Sequence, residues 1–251
     1  MSGDGRVALV TGGSAGIGYA IAERLSDDGF RVAVISSGEG GAETAAATLS
    51  EDGAVVRGYR ADVSDRAQVD AAIAAVRSEL GPISVIVANA AIAPQHPFLE
   101  MTQEQWDTTI AINLTGTFNT VQAALGDLVD AGWGRVVLIS SSSAQRGAPR
   151  MAHYAASKGG QLSMTKALAV EFAGVGITVN SVVPSSVESR SVQRKQEAGA
   201  MPSAEAMAKY IPVGRMGRGE DIAAAVSYLV SDGASYVTGQ TISVNGGSFI
   251  G

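Results

Sequence analysis

Hydrophobic residues along the chain gather in short, dense runs separated by longer Ala-rich stretches. The runs are RVALVT (6–11), RVAVIS (31–36), AVVRGYR (54–60), ISVIVAN (83–89), GRVVLIS (134–140), ITVNSVV (177–183) and QTISVN (240–245). Runs that are apolar on both alternating faces suit parallel strands covered by helices on either side. Between them, segments near 16–28, 41–52, 66–79, 103–131, 153–174 and 219–231 read as helices. The alternation predicts right-handed strand–helix–strand crossovers and one α/β domain over 1–251. That domain is a Rossmann-like, doubly wound parallel sheet of about seven strands with helices on both faces.

Local signals agree with this pattern. Ser64 or Asp65 is placed to cap the helix of 66–79. Gly29, Gly53 and Gly81 follow helical segments, where a left-handed C-cap favours glycine. Only 185–215, with Ser185, Ser186, Pro202, Pro212 and Gly214, breaks the rhythm. It reads as an excursion over one edge of the sheet, and long excursions in compact domains serve as lids or binding loops.

Composition narrows the classes. With 46% apolar and 17% charged residues in 251, the chain can bury a large core. The 31 glycines punctuate the chain without a three-residue period, which excludes collagen-like structure. A net charge of −6 with no concentration of bases argues against a nucleic-acid partner. No cysteine is present, so disulfides and thiolate metal centres are excluded. The only histidines are His96 and His153, and no metal site is expected. No leader pattern opens the chain and no run approaches the roughly 18 apolar residues of a membrane span. A cytoplasmic protein without a membrane partner is expected.

Two stretches carry chemistry. TGGSAGIG (11–18) follows the first strand and opens the first helix. Gly12, Gly16 and Gly18 let the backbone turn tightly and bring bare N–H groups and a helix N-terminus to a pyrophosphate. The spacing differs from GxGxxG, and no Gly-Lys-Ser/Thr follows, so a P-loop nucleotidase fits poorly. YAASK puts Tyr154 and Lys158 one turn apart on one helix face. A free phenol titrates near ~10 and is a poor base at neutral pH. A neighbouring positive charge stabilises phenolate and lowers that value, making the group competent as acid and base. Alone, the spacing describes an ordinary Tyr–Lys surface pair; a dinucleotide loop upstream changes its meaning.

Further motifs occur in a fixed order: ADV (61–63), ANAAI (88–92), Asn113 in INLTGTF, ISSSSA (139–144), VNSVVPSS (179–186) and TGQTISVNGG (238–247). Over essentially its whole length the chain resembles the short-chain dehydrogenase/reductase family, in its branch of 3-oxoacyl-carrier-protein reductases and ketoreductases. The resemblance implies an oxidoreductase passing hydride between a nicotinamide cofactor and a ketone or secondary alcohol. In that reading Tyr154 is the general acid/base and Ser141 holds the substrate carbonyl. Lys158 binds the nicotinamide ribose and tunes Tyr154, and Asn113 holds a water connecting Lys158 to solvent. The cofactor would lie along Gly12, Ser14, Ala15, Gly16, Ile17 and Gly18. Ser36 and Ser37 would take its adenosine ribose, and Asp62 and Val63 its adenine, though Asp62 is otherwise a helix cap. Asn89, Ala90 and Ala91 would follow the ribose, with Pro184, Ser185 and Val187 beside the nicotinamide. Ala91 and Ser185 stand where the family usually has glycine.

The end of the second strand bears on the cofactor. An acid there would repel a 2′-phosphate; this chain has Ser36. NADP(H) is therefore favoured over NAD(H), although Glu39 opposes a phosphate and Ala15 and Ser37 stand where relatives carry bases. Ser36, Ser37 and the backbone N–H groups around Gly38 are placed to donate to a phosphate, and Arg57 and Arg60 are the candidate bases to reach it. A 3-oxoacyl thioester reductase is the alternative substrate reading. A non-catalytic dinucleotide-binding regulator would lose members of the Ser–Tyr–Lys set, and none is lost here. Enoyl-reductase relatives space Tyr and Lys further apart, which favours carbonyl chemistry. His153, adjacent to Tyr154 and so facing away from it, is expected to be partly exposed. His96 either contacts substrate or is an ordinary loop residue. Arg190, Arg194 and Lys195 either meet an acyl-carrier or coenzyme A phosphate or form a solvated helix face. The family resemblance also implies a homotetramer through 103–131, 153–174 and the C-terminal region.

Overall fold

The computed structural model describes residues 3–50, 53–199 and 201–250, excepting the side chains of Ser191 and Lys195. Its strands are β1 (Val7–Thr11), β2 (Arg31–Ser36), β3 (Val56–Arg60), β4 (Ile83–Ala88), β5 (Gly134–Ile139), β6 (Ile177–Pro184) and β7 (Thr241–Val244). They form one parallel seven-stranded sheet in the order β3-β2-β1-β4-β5-β6-β7. The order reverses between β1 and β4, and in open α/β sheets ligands bind at the carboxyl edge beside such a switch point.

The helices are α1 (Gly16–Asp27), α2 (Gly41–Leu49), α3 (Arg66–Leu80), α4 (Gln103–Ile110), α5 (Gly116–Ala131), α6 (Ser143–Arg146), α7 (Ala152–Phe172), α8 (Arg190–Glu197), α9 (Ala204–Ala208) and α10 (Gly219–Val230). Alternate strand residues feed two cores, because successive side chains point to opposite faces. Ala8, Val10, Val32 and Val34 pack with Ile21 and Leu25 of α1 and Ile222 and Val226 of α10. Val7, Leu9, Ala33 and Ile35 pack with Ile73 and Val76 of α3 and Val121 and Leu128 of α5. Truncating one such side chain, Ile73→Ala for example, costs about 2–5 kcal/mol.

The strands and helices fall where the hydrophobic pattern places them, with differences at particular residues. Asp65, not Ser64, caps α3, its carboxylate accepting from Ala67 N and Gln68 N. Gly29 and Gly81 take the expected positive φ, +88° and +97°. The stretch 103–131 is not one regular helix: between α4 and α5 the ladder widens into a π-turn, Ala111–Thr115. Such turns redirect backbone carbonyls, and this one contains Asn113. Helix α7 also departs from the ordinary amphipathic pattern. Its buried residues are His153, Ser157, Lys158, Gln161, Thr165 and Ala169, a mostly polar face. The excursion after β6 carries α8 and α9 and is tied back by a Val187–Gly217 bridge.

Candidate active site

The phosphate loop is built by close approach. At Gly18 a Cβ would lie 2.2 Å from the Gly12 carbonyl oxygen, so only glycine lets α1 start this near the turn. A Cβ on Gly12 would sit 2.9 Å from Ala90 Cα, and Gly16 has φ +56°. Ala15 is the N-cap of α1 and makes no side-chain cap bond, and no acid lies in the first turn. The N–H groups around Ile17 and Gly18 therefore face the loop with the helix's partial positive charge behind them. Asn89 is spent on holding this loop: its Nδ2 donates to the carbonyls of Thr11 (2.9 Å) and Gly12 (3.3 Å). Thr11 was not singled out from sequence, yet its Oγ1 accepts from Asn89 N (3.1 Å) and Ala90 N (3.2 Å). Ala91 follows, exposed.

At the end of β2 the hydroxyls of Ser14 and Ser36 meet at 2.9 Å, and Ser37 is exposed beside them. The start of α2 opens on the same spot, with Gly41 facing Ser14 Oγ and Ser36 Oγ and no side chain capping the helix. Arg60 pairs in register with Ser36. It leaves β3 on the face where a Cβ at Gly58 would strike Ala42 of α2. It makes no hydrogen bond or ion pair among the described residues. Arg57 is turned to its own strand, donating to Val56 O at 3.0 Å. Asp62 is not the cap of α3; its Oδ1 accepts from Ser64 N (2.9 Å) and Ser64 Oγ (2.7 Å). Val63 is buried against Gly116, where a Cβ would come within 2.5 Å of it.

At the other flank, Pro184 is buried at the end of β6, and the Ser185 Oγ after it is buried without a partner. Val187 is 8% exposed. Ser189, which the motifs did not flag, caps α8 through Val192 N and lies 3.9 Å from where a Gly16 Cβ would be. It brings the excursion down onto the phosphate loop. Arg190 and Arg194 are exposed on α8, and the side chain of Lys195 lies outside the described residues.

The serines after β5 divide their labour. Ser140 Oγ donates to the Lys158 carbonyl at 2.9 Å, and Ser142 N donates to Pro184 O at 2.9 Å. Ser141 Oγ accepts from Ser143 N at 3.2 Å and lies beside the phenol of Tyr154. Burial pushes the Tyr154 phenol above its ordinary value, and the Ser141 contact opposes that shift. Lys158 is not among the causes of that shift, so the lowering expected from it is not seen here, and the phenol stands protonated, as a proton donor. The Lys158 ammonium lies 6.0 Å from the Tyr154 ring centroid and is 2% exposed. Burial lowers its pKa to about 7. Its Nζ donates to Ile139 O (2.7 Å) and Gln161 Oε1 (3.1 Å).

Asn113 is fully buried and reciprocally bonded to the Ile92 backbone, at 2.8 and 2.9 Å, with a third bond from Nδ2 to Ser157 Oγ at 3.1 Å. Its own carbonyl accepts from Thr117 Oγ1 (2.8 Å) and Gln161 Nε2 (2.9 Å). The amide of Gln161 thus bridges the Asn113 carbonyl to Lys158 Nζ.

The histidines correct the expectation of exposure. His153 is 0% exposed, packed edge-on against His96 with ring centroids 5.6 Å apart, and neither ring nitrogen has a partner. Adjacent helix residues do face apart, but the loop carrying His96 closes over this face, held by His96 N donating to Arg150 O at 2.8 Å. Burial, then His96, lowers the pKa of His153, which keeps it neutral. No group of three or more metal-ligating side chains occurs among the described residues.

These residues fit a nicotinamide dinucleotide. A glycine cradle that any Cβ would fill, an uncapped helix start and an unpartnered Ser185 Oγ lie along one edge, ending at a phenol–serine pair. The family model described as enoyl-(acyl carrier protein) reductase matches residues 12–248. An acetoacetyl-CoA reductase of Rhizobium meliloti is 43% identical over 244 residues, covering 97% of this chain and 98% of the relative. A 3-oxoacyl-(acyl-carrier-protein) reductase of Salmonella typhimurium is 36% identical over 253 residues, covering 100% of both. A solved actinorhodin polyketide ketoreductase with NADPH is similar with a TM-score of 0.93 and 36% identity, over 99% of each chain. The chain belongs to the short-chain dehydrogenase/reductase family. It is an oxidoreductase transferring hydride between a nicotinamide cofactor and a keto or hydroxy group. No described helix is long and apolar enough to cross a membrane.

Proposed function

We propose that the protein is an NADP(H)-dependent ketoreductase in which Tyr154, Ser141 and Lys158 carry the proton chemistry. The observation that carries this reading is the Tyr154 phenol, half-buried, protonated and set against Ser141 at the carboxyl edge beside the phosphate loop. A bound nicotinamide supplies the hydride in reduction and accepts it in the reverse direction. The chain's own residues do the rest. Ser141 donates to the substrate carbonyl oxygen and orients it. Tyr154 passes its phenolic proton to that oxygen as negative charge develops there. Lys158 has one N–H left after Ile139 and Gln161, and this N–H is available to a ribose hydroxyl. Its charge then steadies the phenolate that remains. Asn113 fixes the loop after β4 and the start of the π-turn, and so the wall of the site.

The preference for NADP(H) is supported by the corner of Ser14, Ser36, the α2 N-terminus and the uncommitted Arg60, with no acid at the end of β2. Segment 185–215 acts as the substrate lid, anchored over the phosphate loop by Ser189. Its return is braced by Arg215, which pairs with Asp221 at 2.7 Å. The substrate is a small-molecule ketone or a 3-oxoacyl thioester; relatives of similar identity bearing thioester-reductase names favour trying the thioester first. The reading includes a cytoplasmic homotetramer. Phe118 and Val129 on α5, Val170 on α7 and Ile250 near the C-terminus are exposed apolar residues that such an assembly would cover.

The test is a panel of ketones, 3-oxoacyl thioesters and secondary alcohols with each cofactor, followed at the nicotinamide absorbance. Turnover with NADPH on a carbonyl member is expected. Cofactor binding with no turnover on any member would replace this reading with that of a dinucleotide-binding regulator.

A further inference from the structure

The buried face of α7 carries polar residues at every fourth position: His153, Ser157, Gln161 and Thr165. Below His153 they form one bonded column. Ser157 Oγ donates to Tyr154 O at 2.8 Å, and Thr165 Oγ1 donates to Gln161 O at 2.9 Å. Thr165 Oγ1 also shares a 2.7 Å bond with Ser181 Oγ of β6.

Gln161 is the centre of the column. It is 0% exposed, and both ends of its amide are engaged. Nε2 donates to Asn113 O (2.9 Å) and Thr117 Oγ1 (2.7 Å), while Oε1 accepts from Lys158 Nζ (3.1 Å). The orientation is fixed by its neighbours: a carbonyl oxygen stands on one side and an ammonium on the other, so the flipped amide would face two like partners. Thr117 Oγ1 donates to Asn113 O, so with Gln161 it takes both acceptor sites of that carbonyl. A water between Asn113 and Lys158 would find its acceptor already used.

We propose that Gln161 is a positioning residue for proton transfer, clamping the Lys158 ammonium to the π-turn in place of a water and holding it in its charged form beside Tyr154. The inference rests on the reading of Tyr154 and Lys158 as the acid–base pair. Few other charges bear on Lys158. From its own helix Tyr154 is the titratable neighbour. From β5 it meets the Ile139 carbonyl, and from the π-turn and α5 it meets, through Gln161, the uncharged Asn113 and Thr117. Burial alone drives its lowered pKa. Each acceptor that bonds Nζ favours the ammonium form, so removing one lowers the pKa further and substituting a carboxylate raises it.

The experiment compares wild type, Gln161→Leu and Gln161→Glu by the pH dependence of kcat/KM for carbonyl reduction. The alkaline limb, where Lys158 loses its proton, moves down by about one unit in Gln161→Leu, a roughly tenfold loss at a pH on that limb. It moves up in Gln161→Glu. A residue that merely fills the core would not shift the limb in opposite directions. Unmoved limbs in both variants, with any loss uniform across pH, would overturn the proposal. A second readout needs no turnover. The chain has four lysines, Lys158, Lys166, Lys195 and Lys209. Lysine-selective ¹³C NMR, with Lys158 assigned by its absence in Lys158→Met, reads its midpoint directly in each variant. If wild type reduces no carbonyl the functional reading fails, and the NMR midpoints still decide the role of Gln161. If Gln161→Leu does not fold, Gln161→Met, which keeps the volume and removes both polar atoms, takes its place in the same measurement.

Discussion

The two edges of the sheet are built on opposite principles. At the amino edge, polar groups close on one another. Trp133 is sandwiched between the guanidinium groups of Arg6 and Arg135, at 4.0 and 4.4 Å from its ring. Arg6 pairs with Asp232 at 3.3 Å, and Ser227 bonds Asp28. Asp127 takes both Arg77 Nε and the Ile83 N–H at 2.9 Å. The unpartnered atoms on this side are hydroxyls, at Ser26 and Thr178. At the carboxyl edge the structure leaves costly groups unfinished: both nitrogens of His153, Gln145 Oε1 and Ser185 Oγ are buried without partners, and Lys158 is buried where its charged form is disfavoured. Arg150 there takes φ +64°, unfavourable for a residue with a Cβ. Unsatisfied polar atoms cost about 1–3 kcal/mol each. One edge contributes stability, and the other gives some up to hold reactive groups ready.

The comparison breaks most visibly at Tyr154. Tyr154→Phe removes one hydroxyl from the carboxyl edge, and kcat is expected to fall by about 10²–10⁴-fold. Cofactor affinity and melting temperature should stay near wild type, since burial disfavours the charged phenolate and not the ring. Retained turnover would sink the assignment.

Lys158→Met sharpens it through pH. The folded pKa of Lys158, about 7, lies below its ordinary value of 10.5. The folded state therefore resists protonation, and the destabilisation is fully present below the folded pKa. It fades as pH rises toward the unfolded value, where both states are neutral. The stability of Lys158→Met relative to wild type should accordingly be highest at or below about pH 7 and decline towards pH 10, while activity is lost at every pH. Urea melts across that range check it; a difference that does not vary with pH would contradict the burial argument.

A smaller effect separates the two ends of the cofactor cleft. Arg60→Ala should weaken NADPH binding by about tenfold, the worth of one partly solvated charge contact, and leave NADH binding unchanged. Titration of each cofactor into the variant measures this, and equal weakening of both would remove the 2′-phosphate corner from the reading.

What was legible in the sequence follows the same division. Strands and helices came from apolar periodicity, which burial on both sheet faces enforces, so β2 lies at 31–36 as the pattern has it. The phosphate loop was legible because steric need leaves only glycine at 12 and 18. Gln161 was not, because a polar residue on an Ala-rich helix reads as exposed until the π-turn that meets it is seen. That turn gave no signal either, since INLTGTF has ordinary helical spacing. His153 was misread for a related reason: helix phase tells which way a side chain points, not which loop covers it.

The smallest expected effect belongs to the amino edge, and it tests whether that edge is structural alone. Trp133→Ala removes the ring shared by Arg6 and Arg135. Arg135 is 3% exposed, and burial lowers its pKa while Asp232 opposes that shift. Its guanidinium keeps bonds to Gly134 O (2.8 Å) and Gly176 O (3.4 Å), so loss of the ring does not orphan it. The cost should be the cation–π contribution of the two pairs, about 1–2 kcal/mol, together with the lost packing of a ring half-buried against the core. That would appear as a lower denaturation midpoint with an unchanged slope. Because every strand runs from this edge to the other, kcat and KM should stay at wild-type values if the sheet transmits no strain between them. A fall in kcat beyond what partial unfolding explains would mean that the site depends on the amino edge for its alignment as well as its stability.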